Sequence, residues 1–323
     1  TGDLFLSLSA INKILNKHPD DEIIIFLSKI NHKFSFLFQK IKKRIFNYNL
    51  NIAEKIKIIF YLFFNKIDTV YILSPKNFYF YLPLFFKNIK FYGLTIYSKK
   101  SRPNNFLKRR LFKYVTIDRL NLGKRVSSYK IQESLIEDTV NHQNLIKVNK
   151  ELTNNFLLPK KYLFFHYKHR LFNGLLNWDL NQIKKLLEFF SKNYENVIFS
   201  SELHADKISN FFKNEYNYFD YAKNLTIKFN DKNIYYLHEI DGYNLFNAVN
   251  NSNKVICPEG IISHMGYFCK KDTTALLHFE LKTQDNLKEQ LISCKEWFPP
   301  NNYKFCVLKK DFKKSLMKLI KRI

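Results

Sequence analysis

Glycine is scarce in this chain, at 7 of 323 residues, and methionine is scarcer, at 2. Set against abundant Lys, Asn, Ile, Phe and Tyr, that shortage is the bias an A+T-rich genome imposes through its codons, and it accounts for part of a net charge of +25. Cysteine is limited to Cys257, Cys269, Cys294 and Cys306, with no CxxC pair among them. The spacing carries no zinc signature, and scattered thiols suit a reducing compartment better than a disulfide framework. No apolar run reaches the roughly 18 residues that a membrane span requires. The longest, 58–64 and 79–86, fall far short. No secretory signal is visible, and no RNP, KH or zinc-finger pattern supports a nucleic-acid binder, although charge and aromatics alone would suggest one.

What is present is ample material for packed cores: 46% hydrophobic residues, 17% of all residues aromatic. Disorder is excluded on that composition, and the length suits two domains of about 150 residues each. The remaining excess of Lys and Arg points to acidic partners such as nucleotides, anionic polysaccharides or a phospholipid surface.

Periodicity then sets the order of elements. Leu4, Leu8, Ile11 and Leu15 recur at helical spacing behind Gly2 and Asp3. A glycine turn ahead of a helix normally follows a strand, so a first strand is expected before residue 1, where the chain opens without methionine. Residues 22–28 form a compact β-branched strand of the fully buried, parallel type. Amphipathic helices are expected over 34–46 and 52–65, then a strand at 69–74, a helix at 77–87 with Pro83 inside it, and a strand at 90–97. Strands separated by helices of this length argue for a parallel sheet with right-handed crossovers. The densest basic stretch follows, with Lys99, Lys100, Arg102, Lys108, Arg109, Arg110 and Lys113. A helix over 126–143 leads into a polar linker at 144–159.

A second cycle begins beyond it: strands at 162–167, 196–200, 234–237 and 273–279, and helices at 177–193, 202–213 and 242–250. The fold class is therefore α/β with two domains, 1–150 and 151–323, the second closed by a helix over 311–323. Within it Lys254-Val-Ile-Cys-Pro-Glu259-Gly260-Ile-Ile-Ser263-His264 reads as a buried strand, a sharp turn carrying an acid and a glycine, and a helix. Such a corner aims several backbone N–H groups at one spot and is a ready anion site. His166 and His169 have the spacing of a metal pair, but no third ligand accompanies them, so no metal is expected.

Two stretches together resemble the heptosyltransferase-type glycosyltransferases that build the lipopolysaccharide core. Gly2-Asp3-Leu4 with His18-Pro19-Asp20 is similar to that family's opening turn and helix stop, and Glu259-Gly260-Ile-Ile-Ser263-His264 to its second-domain motif. The likeness spans nearly the whole chain in element order and rests on two short motifs. The chain departs from the pattern in having Pro258-Glu259-Gly260 where the family has Asp, then Ser or Thr, then Gly. The resemblance implies two facing Rossmann-like domains, the GT-B arrangement, with the acceptor in the first and a nucleotide-sugar donor in the second. It also implies an inverting transfer that needs no metal or other cofactor. By matched position Asp3 is the general base. Lys168, Arg170, Glu202, Glu259, Gly260, Ser263 and His264 bind the donor, with Glu259 at the nucleoside and Ser263 and His264 at the diphosphate. Lys99, Lys100 and Arg102 would bind an anionic glycan or glycolipid acceptor. The expected place is the cytoplasm, peripheral on the inner membrane. A nucleotide-sugar epimerase of the same architecture is the alternative.

Overall fold

The computed structural model describes residues 2–39, 41–74, 76–99, 105–121, 126–136, 146, 158–202, 206–229, 231–279, 284–299 and 304–322. The chain divides into two compact units, Thr1–Val148 with Lys282–Pro300, and Asn149–Leu281 with Asn301–Ile323. Where a single crossing at residue 150 is expected, the segment Lys282–Pro300 returns to the first unit.

The first unit opens with the helix Gly2–Lys17, so Gly2 and Asp3 lie on its first turn. Strands β1 (Ile24–Ser28) and β2 (Lys42–Phe46) pair in parallel, and β3 (Thr69–Ile72), β4 (Lys90–Tyr97) and β5 (Lys113–Asp118) form a second parallel sheet. The helix expected over 34–46 is instead a short 3-10 turn, Asn31–Phe38, followed by β2. In β2, Ile45 points outward and Lys43 donates to the Phe38 carbonyl at 2.7 Å. This edge strand takes its shape from pairing with β1, a partner that local periodicity does not encode. The helix Ile52–Phe64 starts as expected because Asn51 and Glu54 close a capping box. β1 and β3 are both edge strands, and both line a cavity of about 470 Å³ together with the helix Gly2–Lys17. The segment returning to this unit is held by a buried carboxylate. Glu296 takes two hydrogen bonds from Arg119 Nε at 3.0 Å and one from Nη2 at 2.5 Å.

The second unit is built on one eight-stranded sheet. Its strands are β6 (Leu163–His166), β7 (Val197–Ser200), β8 (Asn217–Asp220), β9 (Leu225–Ile227), β10 (Ile234–His238), β11 (Lys254–Pro258), β12 (Asp272–Leu277) and β13 (Lys304–Val307). They run in the order β13-β12-β11-β6-β7-β10-β8-β9, all parallel except β9. Runs such as Leu163-Phe-Phe and Val197-Ile-Phe are buried throughout, as strands covered by helices on both faces must be. Asp179 with Gln182, Asp241 and Asp311 cap the helices Leu180–Asn193, Gly242–Asn251 and Phe312–Ile320. The last helix packs inward: Leu319 is fully buried and Phe312 meets Trp178 edge-on at 4.9 Å. β5, β8, β9, β13 and the helix Gln284–Cys294 were not expected; most are short or polar elements that gain their apolar contacts only in the assembled sheet.

Candidate functional site

The order of the large sheet marks one place as special. The chain starts at β6, builds to one side through β7 and β10, and then crosses to the other side of β6 with β11. The loops that leave the carboxyl ends of β6 and β11 therefore diverge, and open parallel sheets bind ligands in the crevice that this divergence leaves. The loop after β6 carries Lys168, and the turn after β11 is Glu259-Gly260.

Three features define the turn. Gly260 has φ 145° and ψ −153°, a region closed to residues with a side chain. Lys168 Nζ lies 3.7 Å from where a Cβ on Gly260 would sit, so the ammonium stands over the turn. The helix Ile261–Phe268 begins at once, and its first-turn amides have no carbonyl partner within the helix. Gly266, one turn further on, lets this helix seat against β12, because a Cβ there would collide with Thr273 Oγ1.

Electrostatics separate the groups that carry charge from those that do not. Burial raises the Glu259 carboxyl above its ordinary value, and the nearby Lys168 pulls it part of the way back. Burial lowers His264 to about 4 and, with a smaller contribution from Lys168, lowers His166 to about 3. Both imidazoles are therefore neutral at pH 7, and positive charge at the turn comes from Lys168 and from the helix N-terminus.

Several expected contacts are redistributed. The Ser263 hydroxyl donates to the Gly260 carbonyl at 2.8 Å and accepts from the Gly260 N–H at 3.2 Å. It closes the turn, and its proton is spent on the backbone, not offered to a phosphate. His264 is 3% exposed, with Nε2 3.7 Å from Glu259 Oε1, so it lies behind the turn as a neutral neighbour of the carboxylate. Glu202 Oε2 accepts the His169 N–H at 2.7 Å, which ties the loop after β7 to the loop bearing Lys168. Arg170 is exposed at the start of the next turn, and Lys99 is exposed beyond β4. Lys100 and Arg102 lie outside the described residues, as does the side chain of Asp3. Farther along the basic stretch, Lys108 lies over the Tyr114 ring at 5.4 Å and Arg110 over the Phe106 ring at 5.3 Å.

A polar cluster at the ends of β7, β8 and β10 went unnoticed in the sequence. Ser201 Oγ lies 2.7 Å from Tyr236 Oη, which is 3.4 Å from His238 Nδ1. The His238 ring stacks on Tyr218, whose hydroxyl lies 2.7 Å from Ser209 Oγ and donates to Asp220 at 3.3 Å. Glu239, next to it, has φ 50°, an uncommon backbone state for a non-glycine residue. The one available signal was position, since all of these residues except Ser209 lie on or beside the strands. His166 Nδ1 is 2.9 Å from Ser200 Oγ, and no group of three metal-binding side chains occurs among the described residues.

The architecture resembles solved structures. Over 100% of this chain and 86% of the other, it superposes on a family 9 glycosyl transferase from Veillonella parvula with a TM-score of 0.64 and 14% identity. The ADP-heptose lps heptosyltransferase II of E. coli matches over 99% of this chain and 95% of its own, with a TM-score of 0.63 and 11% identity. A putative UDP-N-acetylglucosamine 2-epimerase from Listeria monocytogenes matches over 100% and 86%, with a TM-score of 0.50 and 12% identity. No protein-family model and no curated sequence matches the chain. The chain thus has the heptosyltransferase-like GT-B glycosyltransferase fold, and at these identities the likeness is one of fold.

Proposed function

We propose that the chain is a glycosyltransferase that moves a sugar from a nucleoside-diphosphate sugar to a hydroxyl of lipopolysaccharide or another cell-surface glycan. The observation that carries this reading is the placement of Lys168 over the Gly260 turn at the point where the sheet changes direction. An ammonium, a set of first-turn amides and a backbone stripped of side chain together suit a diphosphate. Glu259, beside them, is a hydrogen-bond acceptor for a ribose or base.

In the proposed reaction the acceptor oxygen attacks the anomeric carbon as Asp3 takes its proton. The bond from that carbon to the diphosphate oxygen breaks, configuration inverts, and the nucleoside diphosphate departs with the electron pair. Lys168, Arg170 and the amides of the helix Ile261–Phe268 steady the developing charge, the part a divalent ion plays elsewhere. Ser263 and His264 shape the turn, and Glu202 holds the Lys168 loop. Lys99, Lys100 and Arg102 draw an anionic acceptor.

A thermal-shift screen against ADP, UDP, GDP and their sugar conjugates tests donor binding. A ligand at one hundred times its dissociation constant should stabilise the protein by about 2.7 kcal/mol. No shift with any of them would remove the donor site from consideration. The epimerase reading is kept because the fold is shared with such an enzyme. Release of an epimerised nucleotide sugar without any acceptor would decide for it, and transfer that needs both acceptor and Asp3 would decide against it.

A further inference from the structure

The helix Ile52–Phe64 is apolar on both of its sides. Its inner side is accounted for: Ile58 and Leu62 are buried in a core with Ile72, Leu82, Phe91 and Leu111. At about 100° per residue, Ile52, Ile56, Phe60, Phe63 and Phe64 fall within one arc on the opposite side. Each of these five is between 45% and 75% exposed. The rings form one patch, Phe60 stacking on Phe64 at 5.9 Å and Phe63 meeting Phe64 edge-on at 5.2 Å. Single exposed apolar residues are ordinary, whereas a contiguous aromatic patch on a surface helix marks an interaction site.

The charges around the patch identify its partner. Glu54, the only carboxylate of this helix, is turned to its N-terminal end, where its two oxygens accept the N–H groups of Asn47 and Asn51 at 2.7 and 3.1 Å. Lys57, at the margin of the arc, and Lys66, just past the last turn, are exposed. The arc itself offers no side-chain hydrogen-bonding group, whereas protein interfaces carry about one hydrogen bond per 100–200 Å². An apolar strip bordered by cations, on a chain with a net charge of +25, matches acyl chains beneath anionic headgroups.

We propose that this face docks the protein on an anionic phospholipid bilayer, with Ile52, Ile56, Phe60, Phe63 and Phe64 at the acyl boundary and Lys57 and Lys66 at the phosphates. The inference does not rest on the glycosyltransferase reading, since it invokes no donor and no acceptor.

Co-sedimentation of the full chain with phosphatidylcholine vesicles, with and without phosphatidylglycerol, provides the test. The wild-type chain should bind the anionic vesicles, and Phe60→Ser/Phe63→Ser/Phe64→Ser should weaken that binding by about tenfold or more. Lys57→Glu/Lys66→Glu should erase the preference for phosphatidylglycerol, and because both lysines are exposed its thermal midpoint should stay unchanged. Undiminished binding by the triple variant, or no binding by the wild type, overturns the proposal. So does a wild-type dimer in sedimentation velocity that the triple variant abolishes without any vesicle binding, which would make the face a contact between copies.

Discussion

One side chain, Lys168, and one missing side chain, at Gly260, define the turn at Glu259-Gly260, and each has a separable effect. Gly260 holds φ 145°, so Gly260→Ala forces a side chain into a backbone state it resists and places a methyl group within 3.7 Å of Lys168 Nζ. The expected cost is about 1–3 kcal/mol, read as a lower thermal midpoint, together with loss of nucleotide binding. Lys168→Ala tests the charge alone. Lys168 is only partly buried, and its ammonium eases the burial of the Glu259 carboxyl, so the midpoint should fall by no more than a small amount. Affinity for nucleoside diphosphates should fall by about tenfold to a hundredfold, as expected for one charge-assisted hydrogen bond to a phosphate. Calorimetric titration of both proteins separates the two roles, and an unchanged affinity in Lys168→Ala would detach this lysine from the donor.

At the scale of elements, the sequence made the second unit's framework legible and left much of the first obscure, for a physical reason. Strands β6, β7, β10, β11 and β12 are short β-branched or aromatic runs buried on both faces, and helices such as Leu180–Asn193 announce themselves by Asp179 and by apolar period. By contrast Lys42-Lys-Arg-Ile-Phe46 is an edge strand, made by pairing with β1 and not by its own pattern. The helix Gln284–Cys294 was likewise invisible as a member of the first unit, because what places its segment there is long-range: Arg119 on Glu296, Ser128 N–H on the Glu296 carbonyl at 2.7 Å, and Ser127 on the Phe298 carbonyl at 2.5 Å. Glu296→Ala removes the buried partner but leaves Arg119 about a third exposed. Its cost should therefore stay near 1–3 kcal/mol, below the 3–5 kcal/mol of a fully buried pair. Limited proteolysis should then cut residues 282–300 first. Undisturbed resistance there would show that the ion pair does not hold the segment.

At the scale of the whole molecule, the candidate site was legible as a location more than as a set of contacts. The residues Glu259, Gly260, Ser263, His264 and Lys168 do converge, because a strand-turn-helix corner and the neighbouring strand's loop are dictated by sheet order. Which of them keep free donors was not legible, since burial and capping emerge only once the chain is folded. The same burial sets how stability responds to acid. His166 and His264 are held near 3 and 4, below the ordinary 6.5. As pH falls below about 6.5 the unfolded chain takes up their two protons while the folded chain does not, so the stability present above that pH is lost on the way down toward the folded values. Glu259 acts in the opposite sense: its raised value means that the folded state gains as pH falls, which offsets part of one histidine. The thermal midpoint should therefore drop between pH 7 and pH 5, more steeply toward the lower end, as the histidines' proton uptake on unfolding rises from about half a proton at pH 7 toward two at pH 5. Replacing both histidines, as His166→Asn/His264→Asn, should flatten that slope even where it lowers the midpoint throughout. A slope of equal steepness in the double variant would assign the acid sensitivity to other groups and leave the turn at Gly260 outside it.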